Sequence, residues 1–140
     1  GFTSGRVQPG FNDHVTAFMV NPFVKFGGLE LFGVLEWASG GVDSESEDRN
    51  WDQYAVEAIY RFAPREQLYL AGRYNVAGGE LLGGTDVSID RIQVGGGWFL
   101  TQNVLMKLEY VRQQYNDYPA TSILHEGVFN GLMIEGVVAF

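Results

Sequence analysis

The sequence predicts an all-β fold: an antiparallel, up-and-down transmembrane β-barrel, of which this chain supplies about seven strands. Three observations predict it. Apolar and polar residues alternate in seven segments, the connections between them run short, long, short, long, short, long, and aromatic residues gather at both ends of the apolar face. Alternation alone also fits a soluble antiparallel sandwich, so the other two observations decide between the two folds.

The composition agrees with this fold and excludes others. The 140 residues include no cysteine, which rules out disulfides and thiolate metal sites. Mean hydropathy is −0.05 and no apolar run of about 18 residues exists, so a helical membrane span is excluded. A formal net charge of −8 disfavours a nucleic-acid partner, since binding phosphates requires a basic face.

The first predicted strand, 15–26, contains Pro22, which lacks an N–H and is therefore expected at an edge or a bulge. The glycine pair at 27–28 predicts a two-residue hairpin turn. The register of this hairpin then pairs Phe26 with Leu29 and Lys25 with Glu30.

The later strands follow the same alternation. We predict strands at 29–37, 51–62, 68–76, 87–100, 104–111 and 129–140. Short turns are predicted at 63–67 and 101–103, and long loops at 38–50, 77–86 and 114–127, with residues 1–13 as a further outer loop. If Phe62 faces Leu68 across its turn, Glu57 faces Arg73.

One face of these strands is apolar and carries aromatic residues at both ends. These residues are predicted to form two membrane girdles: Trp37, Tyr54, Tyr74 and Tyr110 at the long-loop end, and Phe26, Tyr60, Phe62, Trp98 and Phe140 at the short-turn end. The opposite face carries the charges, which are predicted to line a pore: Lys25, Glu30, Glu36, Glu57, Arg61, Arg73, Arg91, Lys107, Glu109 and Glu135. A basic residue facing lipid at the midplane costs about 2–4 kcal/mol, so this register cannot slip by one residue.

Two interpretations of the charged face stay open. Its acids and bases are nearly balanced, which favours structural ion pairs lining water, with Lys25–Glu30 and Glu57–Arg73 as candidate pairs. Alternatively, Arg61, Arg73, Arg91 and Lys107 form a basic track for anions. Neither interpretation needs a metal or a cofactor.

Enzymatic and metal-binding motifs are weak. The acidic run 43–48 has the alternating oxygens of a calcium loop but lacks its turn glycine and its final bidentate Glu, so a solvated loop is the better interpretation. His14 and His125 lie at or beyond strand ends, and Ser122 near His125 is a poor hydrolase candidate. We therefore expect a protein that is not an enzyme.

The final stretch, 129–140, ends in Phe140 and resembles the closing strand of bacterial outer-membrane β-barrels. Together with the segments 21–30, 60–62 and 97–101, it resembles the C-terminal portion of porins of the phosphate-selective porin O and P group. That resemblance implies a pore of roughly sixteen strands, often trimeric, for small hydrophilic solutes.

The predicted function is that of an outer-membrane porin for passive diffusion of small hydrophilic solutes or ions, with anions among the candidates. The alternative is a structural or complex-building outer-membrane barrel whose long loops bind a partner, and a soluble β-sandwich binding protein comes third. The C-terminus is expected on the periplasmic side. An odd strand number predicts that the chain, 1–140, is one segment of a larger barrel. Expected partners are outer-membrane lipid, the remaining strands from an N-terminal part or another chain, and a homotrimer or larger complex.

Overall fold

The computed structural model describes residues 9–140, and all of its strands belong to one antiparallel sheet. The strands are β1 (His14–Val20), β2 (Phe23–Phe26), β3 (Leu29–Gly41), β4 (Arg49–Phe62), β5 (Leu68–Glu80), β6 (Asp86–Thr101), β7 (Val104–Asn116) and β8 (Val128–Val138). Their order in the sheet is β1-β3-β4-β5-β6-β7-β8, and β2 also pairs with β3. The predicted all-β, up-and-down arrangement is confirmed.

Pro22 divides the first predicted strand into β1 and β2, which brings the count to eight. Both halves pair with β3 in one unbroken register, from His14 opposite Gly41 to Phe26 opposite Leu29. Pro22 thus lies at the edge of the sheet, as predicted, and no bulge accompanies it. Its carbonyl still accepts a hydrogen bond from the Gly33 N–H at 2.9 Å.

The predicted register is confirmed in both hairpins for which it was derived. Lys25 pairs with Glu30, and Phe62 pairs with Leu68, which sets Glu57 opposite Arg73. The two-residue turn at 27–28 has its positive φ at Gly27 (55°). In the short turn at 63–67, a 3-10 turn (Pro64–Glu66), the positive φ angles fall on non-glycine residues, including Ala63 at 70°. Such backbone is strained.

The predicted long loops are shorter than expected, because the strands continue further into them. β3 reaches Gly41 and β4 begins at Arg49, so 42–48 remains of the predicted loop 38–50. β5 reaches Glu80 and β7 reaches Asn116, which shortens the loops predicted at 77–86 and 114–127. Of the predicted N-terminal loop, residues 9–13 precede β1 without strand structure, and 1–8 lie outside the described residues.

The sheet formed by residues 9–140 is open. β1 and β2 pair only with β3, and β8 pairs only with β7, so each end of the sheet has an unpaired edge. β1 is the first and β8 the seventh strand in the order of the sheet. Because neighbouring strands are antiparallel, β1 and β8 run in the same direction.

Candidate functional site

The two faces of the sheet differ in exposure, and the apolar face is the more exposed of the two. The apolar face is open: Phe18 is 64% exposed and Leu132 is 69% exposed. The charged face is sheltered, and the side chain of Glu30 on it is only 16% exposed. A soluble sheet buries its apolar face and leaves its charges in water. This chain does the reverse.

All ten residues predicted to line a pore lie on the sheltered face, which we call the polar face. Successive cross-strand pairs place these residues in rows across the sheet. The row nearest the short turns contains three of them and runs through Arg61, Tyr69, Gly97, Lys107 and Glu135. Above it the face forms a depression of about 310 Å³, lined by residues that include Glu57, Arg73, Gln93 and Glu109. Pore lining itself stays a prediction, but the shared face is present.

Ion pairs neutralise most charges of the polar face. The Glu30 carboxylate accepts hydrogen bonds from Lys25 Nζ at 2.9 Å and from Arg61 Nε at 3.2 Å. Both candidate pairs from the sequence are present, since Arg73 Nη1 also lies 3.6 Å from Glu57 Oε2. A further ion pair joins β7 to β8, where Lys107 Nζ lies 2.6 Å from Glu135 Oε2.

Arg91 differs from the other bases of the polar face. Its Nη1 donates a hydrogen bond to the amide oxygen of Gln113 at 3.1 Å, and the described residues provide it with no carboxylate. Gln113 is 2% exposed, and its amide N–H₂ donates to the Tyr115 hydroxyl at 2.6 Å. Tyr115 therefore orients the Gln113 amide so that its oxygen faces Arg91. Of the four bases of the predicted anion track, Arg91 alone has no carboxylate partner among the described residues.

The long-loop end of the polar face is closed by a cluster that we call the cap. Its buried residues, packed against the partly buried Phe11, Leu81 and Leu124, are Trp51, Val87, Ile89, Tyr115 and Tyr118. Tyr115 and Tyr118 meet edge to face, with ring centroids 5.8 Å apart. Burial raises the pKa of the Tyr118 phenol above its usual range. The cap places apolar side chains on the face that carries charges lower down.

Arg49 connects three separate segments beside the cap, and its guanidinium lies 5.2 Å from the ring centroid of Phe11, which packs against the cap. The side chain of Arg49 is 5% exposed, and its Nε donates to Glu45 Oε1 at 2.7 Å. Its two terminal nitrogens donate to backbone carbonyls: Nη1 to Pro9 at 2.6 Å and Glu80 at 3.2 Å, and Nη2 to Gly10 at 3.2 Å. A buried guanidinium with this many partners fixes the segment before β1, the loop 42–48 and the end of β5 relative to one another.

Eight of the nine residues predicted as membrane girdles lie in strands, on the apolar face. The ninth, Phe140, follows the end of β8, because the strand predicted at 129–140 ends at Val138. Trp37 Nε1 donates to the Tyr54 hydroxyl at 3.0 Å, and the Tyr74 hydroxyl donates to Asp90 Oδ1 at 2.7 Å. The Tyr110 hydroxyl likewise donates to Asn130 Oδ1 at 3.0 Å. Beyond these aromatic residues the same face becomes polar. The hydroxyls therefore mark the upper boundary of the apolar band.

Comparison with protein-family models, with curated proteins and with solved structures found no match to this chain. Within residues 9–140, no helix is long and apolar enough to cross a membrane. Nor do three or more His, Asp or Glu side chains of this part of the chain group in a way that could hold a metal ion. In the acidic run 43–48, Glu45 is engaged by Arg49, and Asp48 Oδ1 lies 2.7 Å from His14 Nε2.

The sequence does not predict the cap. Arg49 and Tyr115 lie in segments for which it predicts loops, and Trp51 lies at the start of a predicted strand. A signal did exist: Trp51 and Tyr115 continue the alternation on the phase of the charged residues Glu57 and Glu109. Large aromatic residues on a polar phase, next to a strand end, indicate that something covers that end of the face.

Proposed function

We propose that this chain forms part of the wall of an outer-membrane β-barrel porin, whose polar face lines a path for passive diffusion of small hydrophilic solutes or ions. The exposure of the apolar face carries this proposal. Lipid requires an apolar exterior and, because it offers no hydrogen-bond partners to a sheet edge, a closed barrel. The C-terminus would then lie on the periplasmic side, at the end of the short turns.

The dimensions of the apolar band support this placement. On β3 it runs from Leu29 to Trp37, which spans about 26 Å of strand and, at the usual tilt, about 20 Å along the membrane normal. Outer-membrane barrels carry an apolar band about 25 Å tall between two aromatic girdles. The hydroxyl of Tyr74 reaches the polar side of its boundary at Asp90, as an interfacial aromatic residue should.

The charge pattern favours a diffusion path that discriminates only weakly between anions and cations. Glu57 and Glu135 are each paired with one base and Glu30 with two, so ion pairs offset most of the charge that the wall presents to a passing solute. Arg91 is where an anion would find a base without a carboxylate partner among the described residues. The resemblance to the phosphate-selective porin O and P group belongs to the same proposal, as do a trimeric assembly, lipid contacts and additional strands completing the barrel.

A second candidate function rests on the cap. If the contacts of Arg49, Trp51 and Tyr118 persist in the assembled barrel, they narrow the opening at the long-loop end. A barrel closed in this way is a structural or complex-building protein whose loops bind a partner. The two candidates differ in whether the assembly conducts.

Planar-bilayer conductance of the purified assembly tests the proposal. A porin gives stable open steps in salt solution, and Arg49→Gln, which weakens the cap, is expected to enlarge them. A matched control is Arg65→Gln, since Arg65 lies in the short turn at the opposite end. Absence of steps from the parent protein, together with their appearance in Arg49→Gln, would favour the plugged scaffold. Absence of steps from both would overturn the porin proposal.

A further inference from the structure

Arg112 is the one Lys or Arg side chain that the strands within residues 9–140 direct to the apolar side of the sheet. On β7 the outward-facing residues lie at even positions, and Arg112 follows Tyr110 in this series. The other Lys and Arg side chains of the described residues lie on the polar face, beside the cap or in the short turn. This part of the chain therefore places a single guanidinium on the exterior of the sheet, and it lies beside the aromatic boundary.

Arg112 has no partner among the described residues. It is exposed, and its side chain makes no ion pair, hydrogen bond or ring contact with residues 9–140. The outward-facing carboxylate closest to it in the register is Asp90 on β6, and both oxygens of Asp90 already accept hydrogen bonds. Oδ1 accepts from the Tyr74 hydroxyl at 2.7 Å and Oδ2 from the Asn116 amide at 2.6 Å. The guanidinium of Arg112 is therefore available to a group from outside this part of the chain.

Asn130 lies directly opposite Arg112 on β8 and adds a second donor. Its Oδ1 accepts a hydrogen bond from the Tyr110 hydroxyl at 3.0 Å, which orients the amide and leaves its N–H₂ group without a partner among the described residues. Residues directly opposite in an antiparallel pair have Cβ atoms about 4.5–5.5 Å apart, so both side chains can reach one ligand. A planar guanidinium fork and an amide N–H₂, with no free acceptor beside them, suit an anion with several oxygens.

The level of this pair on the sheet narrows the choice of anion. Arg112 lies in the same cross-strand row as Tyr74, which belongs to the girdle at the long-loop end. In the next outward-facing row towards the short turns, Tyr110 lies opposite Leu132, which is 69% exposed in the apolar band. Aromatic girdles lie at the depth of the lipid headgroups. A cation at this depth meets headgroup phosphates, which are held at the membrane surface by their acyl chains.

We infer that Arg112 and Asn130 bind the phosphate group of a lipid headgroup in the leaflet at the long-loop end. Arg112 supplies the positive charge and a fork of two N–H groups, and Asn130 supplies one further hydrogen bond. The inference rests on the proposed function for the contact of the apolar face with lipid, but it does not depend on conduction along the polar face.

Native mass spectrometry of the complete protein in detergent counts individual bound lipids and so resolves one site. The probes are phosphatidic acid and the diacylglycerol with the same acyl chains, which differ only in the phosphate group. We expect the first bound lipid to be phosphatidic acid, with an affinity about fivefold higher than that of diacylglycerol, as expected for one base at a membrane surface. Equal affinities for the two lipids would overturn the inference.

Three variants assign the preference to this pair. Arg112→Gln should abolish the preference for phosphatidic acid. Asn130→Asp should also abolish it, because a carboxylate opposite Arg112 takes up the guanidinium while the base itself stays in place. The matched control is Arg91→Gln, which removes the same charge from the opposite face and should leave the preference within about twofold of the parent value. Loss of the preference in Arg91→Gln, or its retention in Arg112→Gln, would overturn the assignment. Heat-dependent gel mobility shows that each variant is folded.

Two further measurements exclude other partners. Glycerol phosphate carries the same phosphate without acyl chains, and at equal concentration it should not displace phosphatidic acid, because the chains add affinity through buried CH₂ groups. Displacement would identify a soluble anion as the ligand and overturn the inference. Dissociation of the assembly in Arg112→Gln, with the lipid preference unchanged, would identify a carboxylate of a neighbouring copy as the partner and overturn it as well. None of these readouts involves conductance, so a failed porin proposal leaves them interpretable.

Discussion

Gly79 on β5 lies under the ring of Trp51, and this contact explains why a glycine is required there. A Cβ at this position would overlap the Asn50 carbonyl oxygen and the Trp51 indole. Trp51 is also held by the next residue of β5, because its Nε1 donates to the Glu80 carbonyl at 2.8 Å. Neither neighbour can withdraw without loosening the cap.

Gly79→Ala is therefore expected to lower the free energy of unfolding by about 1–3 kcal/mol, the usual cost of overpacking. Gly72→Ala on the same strand is the control, since a Cβ there meets only the Gln93 carbonyl oxygen, at 4.0 Å. It should be neutral or stabilise by up to about 1 kcal/mol. Urea titration of the folded protein in detergent measures both. Equal costs would show that Trp51 does not press on Gly79.

Arg91 is expected to set the charge preference of conduction. Arg91→Gln removes the base that has no carboxylate partner among the described residues, so the anion-to-cation permeability ratio should fall, by up to about fivefold if the lost Coulomb energy is about 1 kcal/mol. The control is the double variant Arg73→Gln with Glu57→Gln, which removes an ion pair without changing net charge. Reversal potentials in a salt gradient measure the ratio. A larger effect from the double variant would show that Arg91 does not set the charge preference alone and would favour the basic track formed by several bases.

At the scale of elements, Glu45 and Arg49 join the loop 42–48, the end of β5 and the segment before β1 beside the cap. The Arg49 guanidinium, and to a smaller extent the Val42 N–H, holds the pKa of Glu45 below its usual range. A lowered pKa in the folded protein stabilises it above the ordinary carboxyl pKa, and this contribution is lost as pH falls through the lower, folded value. The cap should therefore loosen only when the pH falls below the ordinary carboxyl pKa.

Trp51 fluorescence reports this transition when Trp37 and Trp98 are replaced by Phe. On lowering pH from 7 towards 3, Trp51 emission should shift to longer wavelength as the cap opens. Glu45→Gln should remove the part of the shift that depends on this carboxyl, because the amide does not titrate. An unchanged pH profile in Glu45→Gln would assign the transition to other groups.

Strands and register could be predicted from the sequence, but strand ends and the cap could not. Period-two alternation marks a strand wherever its two faces differ, and the turn at 27–28 then fixes which residues pair. Near the long loops the alternation weakens at Gly78 and Gly79, and polar residues such as Asp52 and Asp90 appear on the apolar face above the aromatic boundary. The cap depends on contacts between segments 31 and 40 residues apart, such as Arg49 with Glu80 and Pro9, and alternation contains no information about them.

At the scale of the whole molecule, the environment of the apolar face decides between a membrane wall and a sheet in water. Leu70 faces outward and is 61% exposed, whereas its neighbour Ala71 lines the polar-face depression together with Glu57 and Glu109. If lipid covers the apolar face, a cation at Leu70 loses its hydration, and one at Ala71 does not.

Leu70→Arg should lower the free energy of unfolding from lipid vesicles by about 2–4 kcal/mol, against at most about 1 kcal/mol for Ala71→Arg. Urea-dependent folding into vesicles measures both values. If Leu70→Arg were harmless and Ala71→Arg costly, the apolar face would be in contact with water, and the membrane proposal would fail.

The connectivity of Arg49 also has a consequence for the order of assembly. From β2 onward each strand pairs with the next one along the chain, and β1 continues β2 along β3, so the sheet can grow hairpin by hairpin, and each step closes only a short loop. The guanidinium of Arg49 is different, because it bonds to residues on both sides of it that are 40 and 31 positions away. Its bonds to Pro9 and Glu80 can both form only once β1 and β5 are in place. Arg49 therefore acts late, as a lock on a sheet that has already been built, and its loss should accelerate unfolding while leaving the early rate of strand pairing unchanged.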